Sequence, residues 1–219
     1  MNNMIATALL YVVPLLFAVI LHEVAHGWVA EKLGDPTARL MGRITLNPLV
    51  HIDPIGTIVL PGVLLLTGSH FLFGWAKPVP VNFQNLRGGR KDMAMVALSG
   101  PLTNFLLAAI SSVIFRITFF HFWDPGGADP SWYVFLREPV RQMAIISVQF
   151  NLVLMVINLL PILPLDGGRI LVGIVPLRVA LALQHLERFG LLIVLLLIGT
   201  GLWSYIVGPV ISFFWRFLM

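Results

Sequence analysis

Cysteine is missing from all 219 residues, which removes disulfide frameworks, thiolate metal ligands and thiol nucleophiles together. Charge is scarce as well. Only 11% of the residues are Asp, Glu, Lys or Arg, while 58% are hydrophobic, far from the balance of a soluble domain. No internal repeat or low-complexity tract breaks the chain into modules, and its length leaves no room for a separate soluble domain beside the apolar segments. These shortages point to an integral, all-α polytopic membrane protein of about four to six transmembrane helices. It reads as a single domain over residues 1–219. The formal charge of +4 is scattered among short loops, so it argues for orientation in a lipid bilayer and against a nucleic-acid partner.

Against that oily background one stretch stands out: Ile20-Leu21-His22-Glu23-Val24-Ala25-His26-Gly27. From Met4 to Ala30 its His22, Glu23 and His26 are the only acidic, basic or imidazole side chains, and polar groups in hydrocarbon are costly enough to imply a task. On a helix, His22 and His26 lie one turn apart on one face, so two imidazoles can grip a single Zn²⁺ with Glu23 beside the water. The first span is expected from about Met4 to Leu33, stopped by Gly34 and Pro36. Met1-Asn2-Asn3-Met4 has no basic n-region, so this helix is expected to stay rather than be cleaved as a signal peptide. At about 1.5 Å per residue, His22 lies roughly 15 Å of helix from Lys32, below the membrane surface.

Lys32, Arg39 and Arg43 mark that end as cytoplasmic, and so do Lys77, Arg87, Arg90 and Lys91 further on. Two cytoplasmic clusters leave no place for a full span between them. Residues 55–60 and 63–67, strand-sized and joined by Pro61-Gly62, are therefore read as a membrane re-entrant β-hairpin-like segment that lines the site; an ordinary tilted helix from Ile55 to Phe73 is the competing reading. Further spans are expected from Asp92 to about Phe120, from about Val140 to Leu160, and from about Phe189 to Phe214. The loop from His121 to Arg141 is placed outside, and a partly interfacial helix is expected after Arg169. Asn104, in Ser99-Gly100-Pro101-Leu102-Thr103-Asn104, offers an amide at about the depth of the metal, or simply joins two helices.

A catalytic zinc takes three protein ligands and leaves one position open. His51, Asp53, His70 and Asp166 are the candidates for the third. Asp166 is best placed, because it comes from a different helix at matching depth and a carboxylate there needs a cation. Its alternative is to cap the helix entered at Ile170 or to pair with Arg169. His51 and Asp53 could touch the site or satisfy loop backbone.

Taken together, His22-Glu23-Val24-Ala25-His26 and Asn158-x-x-Pro161-x-x-Pro164-Leu165-Asp166-Gly167-Gly168 resemble the site-2 protease family of intramembrane zinc metalloproteases. Gly100-Pro101-x-x-Asn104 and the segment from Phe73 to Asn82 are similar to those of its compact bacterial and archaeal type without a PDZ domain. The resemblance implies one Zn²⁺ per chain on His22, His26 and Asp166, with Glu23 as catalytic base and Asn104 and Asn158 near the substrate backbone or oxyanion. It places the catalytic core at about 4–169, followed by C-terminal helices at about 170–219. It further implies transmembrane protein substrates cut within or near their spans, and a prokaryotic cell (inner) membrane with the active site toward the cytoplasmic side. Without a recognition module, selection would rest on the cleft and on the substrate helix. A metal-binding transporter or sensor without protease activity is the alternative, but the external halves of the spans carry only Arg116 and His121, too little for a conduit.

Overall fold

The computed structural model describes residues 2–67, 74–119 and 131–219, and among these there is no strand. Three helices are long and apolar enough to cross a membrane, over Ala6–Lys32, Arg90–Thr118 and Phe135–Asn158. They belong to α1 (Asn2–Lys32), α4 (Arg90–Phe119) and α5 (Ser131–Asn158). Between α1 and α4 lie α2 (Thr37–Leu40) and α3 (Leu60–Leu66). After α5 come α6 (Asp166–Ile174), α7 (Leu177–Leu186), α8 (Gly190–Gly199) and α9 (Leu202–Leu218).

Helix α4 is the central post. It packs against α1, α5, α6 and α9, and half of its apolar window is buried against 22% for α1. The outward faces of α1 and α4 keep Leu9, Phe17, Leu106 and Ile110 exposed, as expected where the surrounding solvent is hydrocarbon. Two buried clusters flank the site. One joins Ala30, Met93, Val96, Leu163, Val172 and Ala180 near the polar end of the bundle. The other joins Ala108, Val148, Leu152, Met155 and Val207 in the opposite half. There the far end of α9 is held by Ser112 and by Arg116 Nη2, both donating to Leu218 O, the second at 2.8 Å.

Three expectations change. Residues 55–60 and 63–67 are not paired strands: a π-helical turn, Pro54–Val59, runs directly into α3. The start signal is Asp53, whose Oδ1 accepts from Ile55 N at 3.0 Å and Gly56 N at 2.7 Å. With Pro54 as first residue of the turn, these bonds commit the backbone to a helix despite its β-branched side chains. The expected span from Phe189 to Phe214 is divided into α8 and α9. The break falls at Thr200-Gly201, where Gly201 adopts φ 75°, a left-handed conformation that glycine reaches without steric cost. Residues 131–139, read as part of an external loop, are already helical in α5. His70 and His121 lie outside the described residues.

An extended segment, residues 74–82, crosses over α1 and is tied down at intervals. Lys77 N donates to His51 O at 2.9 Å, and Arg43 Nη2 donates to Lys77 O at 2.7 Å and Pro78 O at 3.2 Å. Asp35, with no exposed surface, accepts from Asn82 N at 2.6 Å, Asn85 Nδ2 at 2.8 Å and Thr37 N at 3.2 Å, and also from the Thr37 hydroxyl. Burial disfavours the charged Asp35 carboxyl, but the hydrogen bonds from Thr37, Asn85 and Asn82 outweigh it and hold its pKa below the usual range.

Candidate metal centre

The sequence spacing becomes geometry on α1. His22 and His26 both point into the bundle, 7% and 8% exposed, with their Nε2 atoms 3.1 Å apart. Asp166, the first residue of α6, brings Oδ2 to 3.2 Å from His22 Nε2 and 3.3 Å from His26 Nε2. Ligands about 2.0 Å from a tetrahedral Zn²⁺ stand about 3.3 Å from one another. The triangle of donor atoms therefore already has the edge lengths such an ion requires.

Outer partners decide which atoms face inward. His26 Nδ1 donates to Val96 O at 2.8 Å, and His22 Nδ1 donates to Asn104 Oδ1 at 2.6 Å. With their Nδ1 protons committed, the neutral rings turn two Nε2 lone pairs toward each other. Asp166 Oδ2 is buried there without a hydrogen-bond partner. Three electron-rich acceptors facing one point repel unless a cation lies between them, so the residues present fit a divalent metal.

The approach of α4 depends on Gly100. A Cβ built there would come within 2.5 Å of His26 Nε2 and 2.6 Å of His22 Cε1, so only a residue without a side chain lets this backbone pass the imidazoles.

A cavity of about 170 Å³ opens beside His22, His26 and Asp166, lined by Glu23, Val79, Val81, Asn158 and Arg169 among others. Glu23 Oε2 accepts from Val79 N at 2.7 Å. The extended segment thus holds one carboxylate oxygen of Glu23. Asn158 stands at the same cavity, with its Nδ2 donating to Leu154 O at 3.0 Å.

Asn104 sits elsewhere than its expected place at the substrate. It is fully buried behind His22, and its Nδ2 donates to Ala18 O at 3.1 Å and Asn151 Oδ1 at 2.8 Å. Both amide protons and the carbonyl are engaged within the protein, which leaves no donor for a substrate oxygen in this arrangement. His51 and Asp53 stand among the loop bonds instead: His51 Nε2 is 2.9 Å from Thr45 O, and Asp53 caps the turn at Pro54. The two backbone partners, Val96 O and Val79 N–H, had no assigned role from sequence, and Arg169 entered only as an alternative partner for Asp166. Backbone groups carry no side-chain signature, whereas Arg169 lies three residues beyond Asp166, on the same face of a helix.

The chain is 37% identical over 201 residues to the protein named "Putative zinc metalloprotease YwhC" of Bacillus subtilis, covering 92% of this chain and 85% of that one. It is 30% identical over 186 residues to "Putative zinc metalloprotease Rip2" of Mycolicibacterium smegmatis, covering 84% of this chain and 64% of that protein. Against Rip2 of Mycobacterium tuberculosis strain H37Rv the identity is 27% over 186 residues, covering 83% and 63%. Slightly less than two thirds of either Rip2 protein is therefore spanned. No family model and no solved structure matches. Shared identity with YwhC along nearly the whole of both chains, in a protein where the side chains of His22, His26 and Asp166 meet among membrane-length helices, means that the chain belongs to the site-2 protease family of zinc metalloproteases.

Proposed function

We propose that the protein is an intramembrane endopeptidase that hydrolyses peptide bonds within or near the transmembrane segments of other membrane proteins. The observation that carries this reading is the meeting of His22, His26 and Asp166 around one point, beside a cavity that Glu23 also lines. His22, His26 and Asp166 would hold one zinc ion per chain. Bound there, the metal supplies Lewis acidity that polarises a carbonyl and acidifies water.

Glu23 takes a proton from the attacking water as its oxygen adds to the peptide carbon. It then gives that proton to the departing nitrogen as the carbon–nitrogen bond breaks. Val79 N–H fixes Oε2 of the carboxylate, so its orientation is set before substrate arrives. Asn158 and Arg169, which line the same cavity, would donate to the substrate carbonyl.

A peptide bond in an intact helix is shielded by its own hydrogen bonds, so the substrate must unwind locally, most easily near Gly, Pro or Asn. Val79 and Val81 bring an extended backbone to the cavity, and an unwound substrate would lie beside it as an added strand. This takes over the role that sequence reading gave to a re-entrant hairpin at 55–67; the helical stretch in its place would dip into the membrane and return on the same side. The basic residues around Lys32, Arg39, Arg43 and Arg87–Lys91 orient this end toward the cytoplasm of a prokaryotic cell membrane, from which water reaches the site.

Purified protein incubated with a helical membrane reporter tests the assignment. Glu23→Gln is expected to retain zinc and lose cleavage, and a chelator is expected to stop the wild type until zinc is restored. Cleavage at the wild-type rate by Glu23→Gln would remove the base, and indifference to metal removal would remove the metalloprotease reading.

A further inference from the structure

The bond from His22 to Asn104 is the first of a series that crosses the bundle. Asn104 Nδ2 donates to Asn151 Oδ1 at 2.8 Å, and Asn151 Nδ2 donates to Ser147 O at 2.8 Å and Ser147 Oγ at 3.2 Å. Ser111 Oγ donates to Ser147 Oγ at 2.8 Å. Asn104 and Asn151 are 0% and 1% exposed, so every polar atom here must find its partner inside the protein. The series links α1, α4 and α5 through the apolar interior.

The direction of these bonds is fixed by two groups that cannot donate. Ala18 O and Ser147 O are backbone carbonyls, able only to accept. Rotating the Asn104 amide by half a turn would set its oxygen against Ala18 O, and rotating Asn151 would set its oxygen against Ser147 O. Each amide therefore has one permitted orientation. Asn151 must offer Oδ1 to Asn104, and Asn104 must offer Oδ1 to His22. His22 then carries its proton on Nδ1 and keeps Nε2 as a lone pair toward Asp166 and His26.

We infer that Asn151, two side chains away from the site, is a positioning residue that, together with Ala18 O, holds Asn104 in the one orientation that sets the metal-binding tautomer of His22. The inference rests on the metal-site reading above. A neutral amide series orients the imidazole without placing negative charge behind it. A carboxylate in the same place would raise the basicity of the imidazole, so the amide would leave more of a bound metal's charge uncompensated.

The test uses full-length protein in detergent, with Co²⁺ as the probe, reading affinity by competition and coordination by visible absorption. Substitution of a ligand's outer partner costs ten- to a hundredfold in affinity, and Asn151 is one side chain further out. Asn151→Leu is therefore expected to weaken Co²⁺ binding about tenfold and to shift the absorption bands. Asn151→Asp, neutral at this depth, accepts from Asn104 and donates to Ser147 O, and is expected to restore both. Ser147→Ala keeps the deciding carbonyl and should stay within about twofold of wild type. Wild-type affinity and spectrum in Asn151→Leu would overturn the inference. If that variant does not fold, Asn151→Ser, which falls short of Asn104, carries the same expectation and the same refutation. A wild-type protein that takes up no Co²⁺ would overturn the metal site itself.

Discussion

Replacing Gly100 with alanine adds one methyl group at the place where α4 passes His22 and His26. That methyl would stand 2.5 Å from His26 Nε2 and 2.6 Å from His22 Cε1, whereas ordinary contact is about 3.5 Å. About 1 Å must be found, by moving α4 away from α1 or by turning the imidazoles. Neither comes freely. Helix α4 is wedged between α1, α5 and α6, and the rings are held by Asn104 and Val96 through Nδ1. Overpacking of this kind costs about 1–3 kcal/mol. Metal–ligand distances tolerate only about 0.2 Å, so the displacement falls mainly on coordination. Converted at 1.4 kcal/mol per factor of ten, the strain corresponds to a loss of about five- to 150-fold in zinc affinity. Zinc competition against a calibrated chelator, with reporter cleavage measured on the same preparation, reads the effect. Wild-type affinity together with wild-type cleavage would refute the claim that α4 must approach without a side chain.

Two other substitutions probe different parts of the assembly. Asp166→Asn keeps the shape of the side chain but removes the charge that faces His22 and His26 at 3.2 and 3.3 Å; zinc content and cleavage should both fall, and unchanged metal content would eliminate Asp166 as a ligand. Asp35→Ala removes the buried acceptor of the extended segment and should destabilise the protein by about 3 kcal/mol at neutral pH. Because the Asp35 pKa is lowered on folding, its contribution is complete above the ordinary carboxylate pKa and is lost as pH falls through the lowered value. Thermal unfolding of the wild type and Asp35→Ala should therefore converge in acid, and a gap that stays constant from pH 7 to pH 3 would refute it.

The metal triangle was legible because its chemistry has few substitutes. His22 and His26 at one-turn spacing, and Asp166 beside paired glycines, are costly in an apolar setting unless they share a cation. The long spans were legible for a related reason, since α1, α4 and α5 are runs whose hydropathy outweighs their prolines. What remained hidden depended on direction rather than on residue type. The sequence offers Asn104 as an amide at the right depth, but it does not tell that the carbonyl oxygen faces His22 and the nitrogen faces Asn151. In the same way, the β-branched residues after Pro54 suggested strands, because the helix signal lay in the Asp53 carboxylate and its reach to two amides. The division of the last apolar run was obscured by its uniform hydropathy, which Thr200-Gly201 barely lowers while reversing the local backbone hand.

The extended segment that steadies Glu23 belongs to neither of the chain stretches that supply His22, His26 and Asp166. Val79 stands 56 positions after the glutamate it holds, and Asp166 comes 140 positions after His26. A polypeptide with only its first helix made accordingly has His22, Glu23 and His26 but neither Val79 nor Asp166. The arrangement of His22, Glu23, His26 and Asp166 is therefore complete only when distant stretches have closed on one another.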